Sequence, residues 1–283
     1  MELFRSILYV PGAKPRALAR ASQAGADALV LDLEDAVAPA AKTEARRGVA
    51  GMLQGGGFAG RRAIVRINGL DTPWGRDDLE MVRQCRPEAV LVPKVESAEA
   101  LERVRTGLGD AAGAVPLWAM LETPLGVLHA EDIARHAADR GMRLSCLVLG
   151  LNDLSSATCA SQLPGRVPML PWLSGTVLVA RAYGLPIVDG VFNDYGDERG
   201  LRAECEQARH LGFDGKSLIH PAQVAVANAA FAPSREEIAH ARAVIRAFEA
   251  PGAESLGAIG IDGRMVERLH LSQARRVLAL SAA

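Results

Sequence analysis

The sequence predicts an α/β protein: a closed (β/α)8 barrel followed by a helical extension at its C-terminal end. Short runs rich in Val, Leu and Ile alternate with amphipathic stretches of about ten residues or more, the signature of parallel strands covered by helices. Eight such units follow one another without interruption, which favours a closed barrel over the alternative, an open doubly wound sheet. Several of the apolar runs also end abruptly on polar groups. Leu117–Pro124 closes on Glu122, Ala28–Asp35 on Asp-Leu-Glu-Asp, Ala63–Asn68 on Arg-Ile-Asn, Ala89–Glu96 on Pro-Lys-Val-Glu, and Cys146–Leu154 on Gly-Leu-Asn-Asp-Leu. In a parallel barrel the C-terminal strand ends share one rim, so these groups collect in one place.

In chain order, Ser6–Pro11 reads as the first strand and Lys14–Ala24 as its helix. Ala28–Asp35 is the second strand, and Pro39–Leu53 the second helix, with proline where a first turn tolerates it. The Gly55-Gly56-Gly57 stretch has no strand before it and no helix start directly after it, so it reads as a loop rather than a phosphate cradle. Ala63–Asn68, Ala89–Val95 and Leu117–Thr123 follow as strands, with helices over Arg76–Cys85, over Ser97–Leu108 behind a serine cap, and over Leu125–Arg140. Cys146–Leu151, Pro186–Val191 and Phe213–Ile219 complete the eight strands, with helices over Leu173–Tyr183 and Leu201–Leu211 between them. These assignments place the barrel in 1–225 and a helical extension in 226–283, the latter able to cover the mouth of its own barrel or a neighbour's. Within the extension, Ser234-Arg-Glu-Glu237 is a capping box, and Ile238, Ala241, Ile245 and Phe248 form one apolar stripe. Pro251–Gly263 reads as a Gly-rich flexible stretch, and Met265–Ala279 as the last helix.

Composition narrows the function classes. With 49% hydrophobic and 23% charged residues the chain can fill a globular core, and a net charge of -1 gives no electrostatic case for nucleic acid or an anionic membrane. No apolar run approaches the roughly 20 residues that span a bilayer. Met1–Gly12 lacks a basic leader and breaks at Pro11-Gly12, so it does not read as a signal peptide. Cys85, Cys146, Cys159 and Cys205 show no Cys-x-x-Cys spacing and read as free thiols, which implies the cytoplasm.

Glu122 and Asp153 end consecutive strands, which sets two carboxylates side by side at the barrel mouth. They suit Mg²⁺, which takes one or two protein carboxylates and fills its other positions with water and substrate oxygens; each could instead cap a helix or pair with an arginine. Arg66 points away from Val65 and Ile67, into the barrel, where burial demands an anion. That anion is either a substrate carboxylate, which the guanidinium fork matches, or an internal partner such as Glu34 or Asp35. Asp32 and Glu34 alternate against Leu33 and Asp35, so not all of these carboxylates reach the mouth. Lys14 and Arg16 follow the first strand, where a helix start could meet phosphates, though a solvated face explains them equally. His220 is a candidate acid or base or a structural histidine before proline, while His129, His136, His210, His240 and His270 fall in helical stretches and read as solvated.

Taken together, Arg5-Ser6-x-x-Tyr-Val-Pro-Gly12, Asp32-Leu-Glu-Asp-Ala-Val37, Val65-Arg-Ile-Asn68, Val92-Pro-Lys-Val-Glu96, Leu121-Glu-Thr-Pro124, Gly150-x-x-Asp-Leu154 and Gly212-Phe-Asp-Gly-Lys-x-x-x-His-Pro221 resemble the citrate lyase beta subunit family of the HpcH/HpaI aldolase superfamily. The resemblance runs in order along nearly the whole chain. It implies a TIM barrel assembled into trimers or hexamers, Mg²⁺ on the positions of Glu122 and Asp153, and a 2-oxo acid or hydroxyacyl-CoA gripped by Arg66. It further implies reversible carbon–carbon bond cleavage beside a thioester, as in citryl-, malyl- or citramalyl-CoA lyases. The alternatives are a citrate lyase beta subunit acting on a carrier-bound citryl group, and a weakened oligomer that binds a 2-oxo acid.

The family resemblance also implies an acid or base from a neighbouring subunit, an aspartate in a Gly-x-Met-Val-Asp context. Here Asp262-Gly-Arg-Met-Val-Glu267 puts Glu267 in its place, with the same proton chemistry and one more methylene. Pyruvate-type aldolases of the superfamily carry a histidine after the Asp-x-Glu motif. This chain has Asp35 there, a candidate catalytic group that points toward the thioester branch.

Overall fold

The computed structural model describes residues 4–58, 60–139, 141–250, 252–253, 256–261 and 263–281. The chain divides into two compact units between Ala230 and Phe231. In the first, strand and helix alternate: β1 (Ser6–Pro11), α1 (Pro15–Arg20), β2 (Ala28–Asp32), α2 (Lys42–Gln54), β3 (Arg62–Arg66), α3 (Gly75–Cys85), β4 (Ala89–Val92) and α4 (Ala98–Leu108). Then come β5 (Leu117–Leu121), α5 (Pro124–Leu128), α6 (Ala130–Asp139), β6 (Leu144–Leu149), α7 (Leu151–Thr158), α8 (Leu170–Ala182), β7 (Ile187–Asp189), α9 (Glu198–Leu211), β8 (Gly215–Leu218) and α10 (Gln223–Phe231). All eight strands are parallel, and β8 pairs with β1 to close a TIM barrel.

Alternation along the strands explains why the barrel is filled and where its polar groups go. Inward positions carry Ile7, Val30, Ile64, Leu91, Trp118 and Val148, which pack into one buried cluster. Two residues further along the same inward faces of β2 and β3 stand Asp32 and Arg66, and on β5 the series Trp118, Met120 runs on to Glu122 just past the strand, so one periodicity builds both floor and rim. Pairing puts Asp32 level with Arg66, and Arg66 level with Leu91. Closure depends on a bare backbone at Gly215, where an added Cβ would lie 1.7 Å from the Phe4 carbonyl oxygen.

Several local expectations are corrected. The helix expected over 125–140 is two, α5 and α6, broken at His129, whose Nδ1 lies 2.8 Å from the Glu96 carbonyl oxygen. Ser97 precedes α4 without a capping hydrogen bond; the side-chain cap belongs to Thr123, which accepts from the Gly126 N–H. The sixth strand ends at Leu149, not at Leu151, and α7 begins at once, so Asp153 stands in the first turn of a helix rather than at a strand end. An α helix also covers Gln223–Phe231, beyond the eighth strand.

The second unit holds α11 (Arg235–Glu249), β9 (Ala258–Ile261), β10 (Arg264–Glu267) and α12 (His270–Ser281). Ser234 and Glu237 form the expected capping box. Ala241, Val244, Phe248, Val266 and Ala274 are its buried core, with Ile245, Ile259 and Ile261 packed against them. The all-helical expectation for this region is therefore wrong: Ala258–Ile261 and Arg264–Glu267 pair as an antiparallel hairpin. Strands of four residues are too short for alternation to stand out against Gly-rich flanks, and the apolar Met265-Val266 pair passed for a helix start. Asp262, part of the motif compared above, lies outside the described residues. Among the described residues no helix is long and apolar enough to cross a membrane.

Two glycines test this packing. Gly215→Ala should destabilise the barrel by about 2 kcal/mol or more, because the clash is with backbone and cannot be relieved by a rotamer change. Gly51→Ala, inside α2 with open space around its Cβ, should instead stabilise by about 0.5–1 kcal/mol. Urea denaturation of both variants reads the contrast, and equal, small effects would contradict the closure geometry.

Candidate active site

The rim is organised around Arg66, the last residue of β3, which is only 6% exposed. It donates from Nε to Asp32 Oδ1 at 2.7 Å and from Nη2 to Oδ2 at 2.6 Å, a two-point pair made possible by the level register of β2 and β3. Its Nη1 lies 2.8 Å from Glu34 Oε2 and 3.9 Å from Met120 Sδ, and its guanidinium sits 5.4 Å from the centre of the Tyr9 ring. Burial opposes the charge, but Asp32 and Glu34 outweigh it and raise the Arg66 pKa above its ordinary value. Three of the five N–H groups of a guanidinium are thus committed to carboxylate oxygens. The edge expected to meet a substrate carboxylate in two-point fashion is occupied by Asp32, and Glu34, one of the two internal partners considered, is joined by Asp32 rather than replaced by it.

The β2 end is shaped by the same carboxylate. Asp32 accepts the Glu34 N–H at 2.9 Å and the Ala36 N–H at 3.3 Å, turning the chain sharply after the strand. Lys42 locks the turn from below, donating to the carbonyls of Leu33 and Glu34 and to Asn68 Oδ1, while Asn68 in turn donates to Asp78. Glu34 is buried and bridges Arg66 on one oxygen and the Lys94 ammonium on the other. Burial raises its pKa more than these two cations lower it.

Because β2 ends at Asp32, the alternation expected to separate Asp35 from Glu34 does not hold: Asp35 stands at the same rim cluster, its side chain 54% exposed, 3.4 Å from Lys94 Nζ and 3.9 Å from Arg66. Partial burial works toward protonating it, but its hydrogen bond with Glu34 and the two cations outweigh that and hold its carboxyl below the ordinary value.

Glu122, one residue past β5, has a fully buried side chain. Its Oε1 accepts the main-chain N–H of Lys94 at 2.8 Å; its Oε2 is buried with no hydrogen-bond partner among the described residues. Burial pushes the carboxyl up to about 8, although Arg66 and Lys94 pull the other way. Against it lies Gly150, where an added Cβ would stand 2.5 Å from Oε2 and 2.4 Å from the Glu122 Cβ. Gly150 is also the N-cap of α7, whose first turn carries the half-buried Asp153. An orphaned, buried carboxylate oxygen next to a bare backbone and the turn that bears a second carboxylate is a fit for a hard divalent cation. Among the described residues no cluster of three or more His, Cys, Asp or Glu is arranged to hold a metal, so this donor set suits an ion that keeps water and substrate oxygens in its shell.

Other expected residues fall elsewhere. Lys14 and Arg16 are exposed where α1 begins, Lys14 as its N-cap without a side-chain hydrogen bond. Glu267 ends β10 in the second unit, its N–H 3.0 Å from Nδ1 of His270. His220 is occupied structurally: it stacks on Tyr195 at 4.9 Å and its Nδ1 accepts the Ala222 N–H.

Sequence reasoning missed Lys94, although the Pro-Lys-Val-Glu ending of the fourth run was a usable sign that β4 also delivers a charge, and it did not single out Asp32, rather than Glu34 or Asp35, as the main partner that orients Arg66. It also missed a buried ion cluster at the β7 and β8 ends. There Lys216 donates to Asp189, Glu204 and the Gly190 carbonyl, and Arg166 binds both Asp189 oxygens at 2.8 Å. Its acidic and basic members satisfy one another, which marks it as structural.

The raised Glu122 carboxyl gives a signed expectation. With a folded value of about 8 against an ordinary 4.5, the ion-free protein should lose stability progressively from about pH 4.5 to pH 8, as ionising a desolvated carboxyl becomes necessary. Glu34 is shifted the same way, so Glu122→Gln should reduce this slope without abolishing it. Thermal melts across pH in the presence of a chelator measure it, and an unchanged slope in the variant would contradict the burial argument.

With this geometry in hand, comparison with known proteins gives a consistent result. Residues 5–221 match the HpcH/HpaI aldolase/citrate lyase family. The chain is 48% identical to a (3S)-malyl-CoA thioesterase of Cereibacter sphaeroides over 280 residues, covering 99% of this chain and 95% of that one. It is 36% identical to the citrate lyase subunit beta of Escherichia coli, covering 97% of this chain and 92% of that one. Among solved structures, protein CitE from Mycobacterium tuberculosis in complex with magnesium, acetoacetate and coenzyme A superposes with a TM-score of 0.79 at 30% identity, covering 99% of both chains. The barrel, its charged rim and these similarities agree: the chain belongs to the HpcH/HpaI aldolase/citrate lyase family.

Proposed function

We propose that the protein is a Mg²⁺-dependent enzyme acting on the CoA thioester of a 3-hydroxy dicarboxylic acid of the malyl-CoA type, and that it cleaves the thioester by hydrolysis. The observation that carries the ion site is the buried Glu122 Oε2 without a partner. The choice of hydrolysis over the carbon–carbon cleavage expected from sequence is supported by the 48% identity to a thioesterase along nearly the full chain. Carbon–carbon cleavage is the second reading, supported by the 36% identity to a citrate lyase subunit.

In this reading Glu122 and Asp153 hold Mg²⁺, which supplies Lewis-acid polarisation of a substrate oxygen when bound. Arg66, kept in place by Asp32, offers its uncommitted N–H groups to the free carboxylate of the acid. Glu267 takes the proton of the attacking water and returns it to the departing sulfur; the new C–O bond replaces the C–S bond, and CoA leaves as a thiol. Asp35, held ionised beside Lys94, is a second proton acceptor at the rim. Lys14 and Arg16 meet the CoA phosphates. We further propose a homotrimer or hexamer in which residues 226–283 of one subunit bring Glu267 to the barrel of a neighbour, in the cytoplasm, where the four free cysteines stay reduced.

Purified protein with Mg²⁺ and (3S)-malyl-CoA should release malate and free CoA, followed by a thiol reagent and by chromatography. Glyoxylate and acetyl-CoA instead would favour the lyase reading, and no turnover of malyl-, citramalyl- or citryl-CoA would sink both. Glu122→Gln should lower kcat/KM by about a thousandfold. Glu267→Gln should lower kcat by about 10²–10⁴-fold with little change in KM, as expected for a group that moves a proton rather than binds substrate.

A further inference from the structure

Lys94 touches three rim carboxylates by two different routes, Glu122 through its main-chain N–H and Glu34 and Asp35 through its ammonium. It follows β4 after Pro93, and its backbone lies at φ 48°, in the left-handed region that is strained for a residue with a Cβ. Such strain persists only where surrounding structure enforces it, and here the next residue shows the enforcement: the Val95 N–H donates to the Met120 carbonyl on β5. The consequence of the left-handed turn is that the Lys94 N–H aims at Glu122 and is held on Oε1 at 2.8 Å. Of the two oxygens of Glu122, Oε2 is then the one left buried without a hydrogen-bond partner among the described residues. The far end of the same side chain meets the other buried carboxylate, its ammonium on Oε1 of Glu34, whose Oε2 is on Arg66.

We propose that Lys94 is a positioning residue with two separable tasks: its left-handed main-chain N–H holds Glu122 so that a single oxygen is presented to a divalent cation, and its ammonium keeps Glu34 on the Arg66 side, away from that cation. The inference rests on the magnesium reading above. Without the first task, Glu122 can rotate about its side chain and lose its aim. Without the second, Glu34 becomes one more buried anion beside the ion, and the selectivity of the cradle changes with it.

The two tasks are separated by Lys94→Gly and Lys94→Ala in the full chain. Both remove the ammonium, but glycine adopts φ near 48° freely, while alanine keeps the Cβ strain with only the Val95–Met120 main-chain bond left to hold the turn. Ion binding is read by calorimetry with Mg²⁺ and by the electron paramagnetic resonance of bound Mn²⁺, with thermal melts as a folding control. Lys94→Ala should bind either ion about three- to tenfold more weakly than Lys94→Gly. Lys94→Gly should bind at least threefold more tightly than the wild type, because a cation has gone and Glu34 is released, and Lys94→Gly with Glu34→Gln should return to the wild-type level. Equal affinities for the glycine and alanine variants would overturn the first task, and a glycine variant no tighter than wild type would overturn the second. A wild-type protein that binds neither ion would fail the magnesium reading itself, and the proposal with it.

Discussion

The structure of the rim depends on one interaction, the buried two-point pair between Arg66 and Asp32. A guanidinium taken out of water needs its charge compensated with good geometry, and the level pairing of β2 with β3 supplies it. Because Asp32 also accepts the N–H groups of Glu34 and Ala36, the same carboxylate that neutralises Arg66 folds the loop that brings Glu34 and Asp35 to the mouth. Removing Arg66 would leave the buried Asp32 without its ion-pair partner, a loss that typically costs about 3–5 kcal/mol, whereas removing Asp32 leaves Arg66 paired with Glu34. Charge and shape are set here by a single side chain.

Around this pair the barrel works as a rigid mount. Apolar layers fill its interior up to the level of Leu91 and Met120, so the polar groups above rest on packed side chains rather than on solvent. The Lys42–Asn68–Asp78 chain braces the β2 and β3 loops, and the Asp189–Lys216–Arg166 cluster braces β7 and β8 in the same way. Both are nearly closed hydrogen-bonded sets, which accounts for charged residues buried at strand ends without any direct role in chemistry. Glu122 differs from these sets: among the described residues its Oε2 is buried without a hydrogen-bond partner.

Much of this was legible in the sequence. Eight apolar runs separated by helix-length stretches specified the barrel, and strand alternation oriented Arg66 inward, but it did not separate Glu34 from Asp35, because β2 ends at Asp32 and the turn after it brings both to the same cations. Glu122 declared itself by ending an apolar run on a carboxylate. What stayed hidden was three-dimensional pairing. Nothing local says that Arg66 is met by a residue 34 positions away, or that Lys94 would use its backbone on one glutamate and its side chain on another. The hairpin Ala258–Glu267 was hidden for a different reason, since four-residue strands carry too few alternating positions to be told from a loop. Asp153 was assigned to the right neighbourhood but the wrong element, because β6 ends two residues earlier than its apolar run suggests and Gly150 starts a helix instead.

The commitment of three of the five Arg66 hydrogens has a consequence for what the mouth can tell apart. A guanidinium with its whole edge free recognises the flat, forked outline of a carboxylate. One already anchored offers a tether at a single point, which senses that a negative charge is present and how far it lies from the other end of the ligand. For the dicarboxylic thioester proposed above, selection at such a rim becomes a matter of reach: the spacing between termini is measured like a ruler, while the bulk carried on the carbons between them goes largely unread by this arginine.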